Sequence, residues 1–206
     1  MLDEDIMIQG IVGSTAYGMA HPGSDIDTLG IFVQPTLDRV GLVEPEETFA
    51  SNNPDITLHE VGKYCRLALK GNPTVLELLY LPEYTHLTDE GADLIEIRSS
   101  FLGSKQIRAS YVGYAKAQIK RLNDRGDFGS DLKKRRAKHA RHCFRLMYQA
   151  EQLLTTGSMC VKVTPEQREH LFYLGDRTTE ELTDEFAVQA AKIDDMHTNL
   201  PENADF

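Results

Sequence analysis

Apolar positions in residues 8–33 fall into two runs, Ile11-Val12 and Leu29 to Val33, with a Gly- and Pro-punctuated stretch between them. The pattern predicts a strand or short apolar element, a tight turn at Gly13-Ser14 opening a short helix, a loop, and a second strand carrying Asp25 and Asp27. Residues 1–12 lead into this turn as a short helix or strand, and Pro35 to Glu47, rich in turn formers and acids, reads as a surface loop. Asp55-Ile56-Thr57-Leu58-His59 alternates polar and apolar positions, which predicts a half-buried strand with Asp55, Thr57 and His59 on one face. Val61 to Lys70 reads as a helix stopped by Gly71, and Asn72-Pro73 restarts one, with Asn as cap and Pro in the first position. Helical spacing then dominates. It covers Leu102 to Asn123, is broken at Gly126-Asp127-Phe128-Gly129, and resumes over 131–154, where Ala140, Cys143/Phe144, Met147 and Leu154 form an inward stripe. Thr164-Pro165-Glu166-Gln167 has the form of a capping box opening a helix to about Leu174. Thr178 or Thr179 caps a last helix, Glu180 to Met196, with Leu182, Phe186 and Ala190 inward. The polar end HTNLPENADF is expected to fray.

Composition adds little to this, whereas charge adds more. The 206 residues are 41% hydrophobic and 26% charged, as in ordinary globular chains able to bury a core. No apolar run approaches membrane-spanning length, and the acidic start MLDEDIM is unlike a signal peptide. Cys65, Cys143 and Cys160 are far apart and lack metal-ligand spacing, so they read as reduced thiols in a cytoplasmic protein. The net charge of −10 is unevenly spread. Residues 1–103 carry 5 Lys/Arg against 17 Asp/Glu, residues 104–170 carry 15 against 6, and residues 171–206 carry 2 against 9. Such a chain is a poor general nucleic-acid binder, but its middle third is suited to a polyanion.

The candidate chemistry begins with Asp25 and Asp27. Two apart in an extended chain, their side chains point the same way while Ile26 points into the core. Carboxylates held that close repel unless a cation sits between them, and Mg²⁺ favours a couple of carboxylates completed by substrate phosphate oxygens. Gly13-Ser14 supplies the complement: a glycine that lets backbone approach a phosphate, a hydroxyl, and N–H groups at a helix start. On the long helix, Lys138, Arg141/His142, Arg145 and Gln149 recur at three- and four-residue steps. That row suits a nucleotide's triphosphate, and equally a solvated basic face or an RNA backbone. His139 and His142 have no partner at zinc-ligand spacing.

Val12-Gly13-Ser14 followed by Asp25-Ile26-Asp27 resembles the signature of the nucleotidyltransferase (DNA polymerase beta) superfamily. The longer strings Gly13-Ser14-x-x-Tyr17-Gly18, Ser24-Asp25-x-Asp27-x-x-Gly30-Ile31-Phe32 and Lys70-Gly71-Asn72-Pro73-Thr74-x-x-Glu77-Leu78-Leu79 resemble its branch of RNA-repair-associated polymerase-beta-like proteins, as does Lys138 through Gly157. The resemblance implies an α+β fold. A small mixed sheet flanked by helices would form a catalytic core over 1–103, and an α-helical C-terminal region over 104–206 would pack on it. It implies transfer of a nucleoside monophosphate from an NTP to an acceptor hydroxyl with release of pyrophosphate. Asp25, Asp27 and a third carboxylate would hold one Mg²⁺ (or Mn²⁺), Asp25 and Asp27 would share a second bound to the triphosphate, and Gly13, Ser14, Lys138, Arg141 and Arg145 would meet the nucleotide. By resemblance the third carboxylate is Asp55, with Glu60 as rival and a helix-cap role for Asp55 as the plainer reading. Glu77 is adequately explained as a capping-type residue. The acceptor is an RNA end, a protein side chain or a small molecule, with no membrane involved. The rival function is an inactive NTP- and metal-binding or antitoxin-like module.

Overall fold

The two apolar runs and the alternating segment downstream form the middle of one sheet. Its arrangement comes from a computed structural model describing residues 5–42, 45–123 and 130–204. Strand β1 (Ile6–Val12) pairs antiparallel with β2 (Asp27–Phe32), and β2 pairs parallel with β4 (Asp55–Glu60). A short strand β3 (Thr48–Asn52) lies antiparallel to β4, and the two-residue β5 (His86–Leu87) lies antiparallel to β1. The order is β3-β4-β2-β1-β5, a mixed five-stranded sheet. With its flanking helices this is the α+β architecture expected. The pattern did not predict β3 and β5, because Thr48–Asn52 is mostly exposed edge and His86–Leu87 is too short for any period to show.

The described residues divide after Phe101 into two compact units. The first holds the sheet and the four-residue α1 (Gly13–Ala16) and α2 (Thr36–Arg39), then α3 (Val61–Leu69), α4 (Pro73–Leu78) and α5 (Asp89–Glu96). Its core is Ile8, Leu29, Ile31, Leu58, Tyr64, Leu76, Leu78 and Leu79, all buried. Asn72 caps α4 as expected, accepting from the Thr74 and Val75 N–H groups at 3.1 and 3.3 Å. The N-cap of α3 is Glu60, which takes the Lys63 N–H at 3.1 Å and pairs with Arg39. Asp55, at the start of β4, does not cap that helix.

The second unit, from Leu102 on, is helical. Helix α6 (Ser104–Ile107) runs through a π-helical stretch (Arg108–Val112) into α7 (Gly113–Asn123). Then come α8 (Ser130–Thr156), α9 (Pro165–Gly175) and α10 (Thr179–Asp195). Thr164/Gln167 and Thr178/Glu181 form the capping boxes of α9 and α10. The predicted stripe of α8 is buried at Ala140, Cys143, Phe144, Met147 and Leu154. Of the inward positions expected on α10, Leu182 is buried, whereas Phe186 and Ala190 are half-buried. The expected break at Gly126–Gly129 lies outside the described residues.

Two expectations fail here. The polar end does not fray through residue 204: Pro201 and Glu202 carbonyls accept the Ser104 and Lys105 N–H groups at 2.8 and 3.0 Å, and Asn203 meets Gln106. Gly103 has no side chain with which to cap α6, so its first donors take backbone acceptors from the tail. Nor is the second face of α8 free, since Arg145 and Gln149 are 1% and 3% exposed. Cys65, Cys143 and Cys160 are free thiols. Among the described residues no helix is long and apolar enough to cross a membrane.

Inside the second unit an Arg145 guanidinium nitrogen stands 3.1 Å from His142 Nδ1. Burial, with Arg145, His139, Arg121 and Lys138 nearby, pushes the His142 imidazole down to about 3. The unfolded chain takes up this proton near the ordinary value of 6.5, so between 6.5 and about 3 it binds more protons than the folded unit. Stability is therefore full above that window and falls as pH drops through it, by at most about 1.4 kcal/mol per pH unit from this group. His142→Gln should flatten the pH dependence of the unfolding free energy between pH 6.5 and 5 in urea titrations. Parallel curves for the two proteins would show that His142 does not carry it.

Candidate active site

Val12, Asp27 and Asp55 form a row across three neighbouring strands, since Asp27 is the register partner of Val12 on β1 and of Asp55 on β4. Laterally paired positions share a face, so the Asp27 and Asp55 carboxylates project the same way from strands about 4.8 Å apart. Asp27 is half-buried and Asp55 exposed. The chain reaches Asp27 again from the other side. Gly13, directly after Val12, turns with φ of +68° into α1. A Cβ there would fall on a carboxylate oxygen of Asp27, 3.0 Å from its Cγ. Gly13 is thus required twice, for its backbone conformation and for the space Asp27 occupies.

Asp25 is placed differently from the expectation. β2 begins at Asp27, leaving Asp25 exposed in the preceding loop, and Ile26 is 60% exposed rather than in the core. The reason lies in the neighbours. β1 ends at Val12 where Gly13 turns away, and β4 starts at Asp55, so residues 25 and 26 have no strand to pair with on either side. The loop before them closes on itself through His21 and Ser24, with the Ser24 N–H on the His21 carbonyl at 2.9 Å and the His21 N–H on Ser24 Oγ at 3.0 Å. Among the described residues no three His, Cys, Asp or Glu side chains gather closely enough to hold a metal ion. The structure brings Asp27 and Asp55 together and leaves Asp25 beside them on the loop.

Glu60, the rival third carboxylate, lies at the opposite end of β4, 1% exposed and committed to the α3 cap and to Arg39. Ser14 is half-buried in α1, its carbonyl accepting the Met19 N–H at 2.9 Å. Glu77 is not a cap. It is 1% exposed and takes the Tyr17 hydroxyl on Oε2 at 2.7 Å, a link from the Gly13-Ser14 turn to α4 that the sequence reading missed. One sign of it was available: an acid set in the apolar run Val75-Leu76-Glu77-Leu78-Leu79 is either a buried acceptor or a mistake in the helix assignment.

The remaining candidates belong to the second unit. Lys138 is exposed. Arg141 is half-buried with its guanidinium 4.8 Å from the centre of the Phe172 ring, and burial, partly offset by Asp176, lowers its pKa. Arg145 is buried beside His142. The three do not share one exposed face.

A profile of the RNA repair pathway DNA polymerase beta family matches residues 3–184. The chain belongs to that family. Membership sets it among polymerase-beta-like nucleotidyltransferases, and the matched span contains the Gly13-Ser14 turn, all three aspartates and Glu77. The uncharacterized 38.9 kDa protein of the nrdC-mobD intergenic region of Enterobacteria phage T4 is 28% identical over 134 residues. The match covers 58% of this chain and 39% of the phage protein, so the chain spans well under half of that relative's length. A nucleotidyltransferase-like protein from Exiguobacterium sibiricum 255-15 superposes over 93% of this chain and 73% of its own, at 15% identity and a TM-score of 0.30.

The two demands on Gly13 can be separated. Gly13→Ala should cost about 1–2 kcal/mol for the left-handed backbone, plus the displacement of Asp27. Gly23→Ala, at φ of +88° with nothing within 4 Å of its added Cβ, carries the backbone cost alone. Urea unfolding should therefore rank Gly13→Ala as the more destabilised, and equal losses would remove the Asp27 contact from the account.

Proposed function

We propose that the chain transfers a nucleoside monophosphate from an NTP to an acceptor hydroxyl. A bond forms between the acceptor oxygen and the α-phosphorus, and the bond to pyrophosphate breaks. The observation that carries this reading is the register pairing of Asp27 with Asp55 beside the Gly13-Ser14 turn, in a chain of this family. The donor set fits a divalent cation, Mg²⁺ or Mn²⁺, because Mg²⁺ needs only one or two protein carboxylates and completes its shell with phosphate oxygens and water. Asp27 and Asp55 would hold it, with Asp25 reaching in from the loop. Once bound, it would neutralise charge on the attacking and leaving oxygens.

The chain's own groups supply the rest. The Gly13 backbone, bare of a Cβ, and the Ser14 hydroxyl would contact the leaving phosphates, orienting them in line with the acceptor. Asp55, the exposed member of the pair, would face the acceptor. Lys138, Arg141 and Arg145 would bring positive charge to the phosphates, and of the three Lys138 is the exposed one. A second reading, an NTP- and metal-binding or antitoxin-like module without turnover, draws support from the position of Asp25 outside the strand.

Incubation with each of four labelled NTPs, Mg²⁺ or Mn²⁺, and total cellular RNA or protein distinguishes the two. Pyrophosphate release with label on an acceptor is expected, and nucleotide binding without release would favour the second reading. Asp27→Asn should abolish transfer while leaving the fold intact, because it relieves carboxylate repulsion. A near wild-type rate would defeat the metal assignment. Asp55→Ala should remove turnover yet keep NTP binding, with unfolding unchanged. Lys138→Ala should weaken NTP binding measured without acceptor, and an unaltered affinity would take Lys138 out of the phosphate contacts.

A further inference from the structure

We infer that Glu77 is a positioning residue that holds the Gly13-Ser14 turn in place through the Tyr17 hydroxyl. Its consequence for nucleotide rests on the phosphate-contacting role proposed above for that turn.

α1 is four residues long, has no side-chain cap, and ends at Tyr17. Its own closure is three local bonds: the Tyr17, Gly18 and Met19 N–H groups reach the Gly13, Thr15 and Ser14 carbonyls at 3.1, 3.1 and 2.9 Å. An element that short does not persist by its own hydrogen bonds, and left-handed glycines at both ends, Gly13 and Gly18, leave its backbone permissive. Its placement must come from outside. The Tyr17 phenol reaches across 60 positions of sequence to Glu77 Oε2, at 2.7 Å.

The acceptor sits on a firm platform. Glu77 lies between Leu76 and Leu78, both fully buried, on a helix capped by Asn72. The Tyr64 hydroxyl fastens the same helix at the Val75 carbonyl, at 2.7 Å. Leu78 and Leu81 close over Gly10 of β1, the strand that runs into Gly13. The same helix and the residues after it therefore pack on the strand before the turn and carry the carboxylate that grips the residue after it. A carboxylate 1% exposed in an apolar helix costs stability unless it is hydrogen-bonded, and a leucine would pack there at no such cost. What the carboxylate adds is a strong, directional acceptor for a phenol, which leucine lacks.

The test uses the full chain and two readouts, backbone amide exchange over Gly13–Met19 without nucleotide and the dissociation constant for Mg-ATP. Tyr17→Phe removes only the hydroxyl. It should speed exchange over Gly13–Met19 by roughly tenfold to a hundredfold, the equivalent of one hydrogen bond to a charged group, with α3 and α4 unaffected. It should raise the Mg-ATP dissociation constant by about the same order. Glu77→Gln keeps an oxygen that accepts the phenol but not its charge, and should fall between wild type and Tyr17→Phe in both readouts. Glu77→Leu keeps the packing without the acceptor and should reproduce Tyr17→Phe, which covers the case in which Tyr17→Phe does not fold. Unchanged exchange over Gly13–Met19 in Tyr17→Phe and Glu77→Leu would overturn the inference, as would faster exchange spread equally over β1, α3 and α4. Loosened exchange with unaltered Mg-ATP affinity would overturn the link to phosphate. A wild-type chain that binds none of the four Mg-NTPs would instead defeat the proposed function, and the exchange result would still decide whether Glu77 holds the turn.

Discussion

The Asp27 carboxylate fills the space that a side chain at position 13 would need. This steric exclusion ties three features together: the end of β1, the left-handed turn into α1, and the start of β2. Because β1 stops at Val12, β2 gains its antiparallel partner only from Asp27 onward, and because β4 starts at Asp55 its parallel partner begins at the same level. The paired aspartates are thus a consequence of where three strands begin and end. The turn that sets those limits brings bare backbone up to the same point.

Much of this was legible in the residues. Gly13-Ser14 and Asp25-Ile26-Asp27 are local signals, and so are the Asn72-Pro73 cap and the capping box at Thr164, each written within four residues. The long helix was legible because its inward stripe repeats over several turns. Where the reading failed, the deciding partner was remote. Ile26 looked like a core residue because alternation was carried two residues past the point where neighbouring strands exist. Arg145 and Gln149 looked like part of an accessible row, facing phosphate or solvent, because a second packing surface on one helix leaves no period of its own. The Tyr17–Glu77 bond joins two recognisable strings, but neither string contains the information that they touch.

Two polar groups withdrawn from solvent, Glu60 and the half-buried Asn72, are placed where they settle a junction. Glu60 ends β4 and starts α3 by capping it, and its ion pair with Arg39 draws in the loop after β2. Asn72 does the same between α3 and α4. Such groups contribute little net free energy when satisfied and cost much when orphaned, so they select one arrangement over its alternatives more than they add to stability. Burial of His142 beside Arg145 follows the same logic with a price attached, since it makes the helical unit sensitive to acid.

The hydrogen bonds from Ser104 and Lys105 to Pro201 and Glu202 have a topological consequence. They bring the two ends of the helical unit to one point, so its chain path is nearly a closed circle. A closed path has no privileged starting place: a short linker could join residue 204 to Leu102 and new termini could be opened at an exposed bend between helices, leaving the packing as it is. The same closeness means that this unit could be carried as an insert in a loop of another protein, entering and leaving at neighbouring positions.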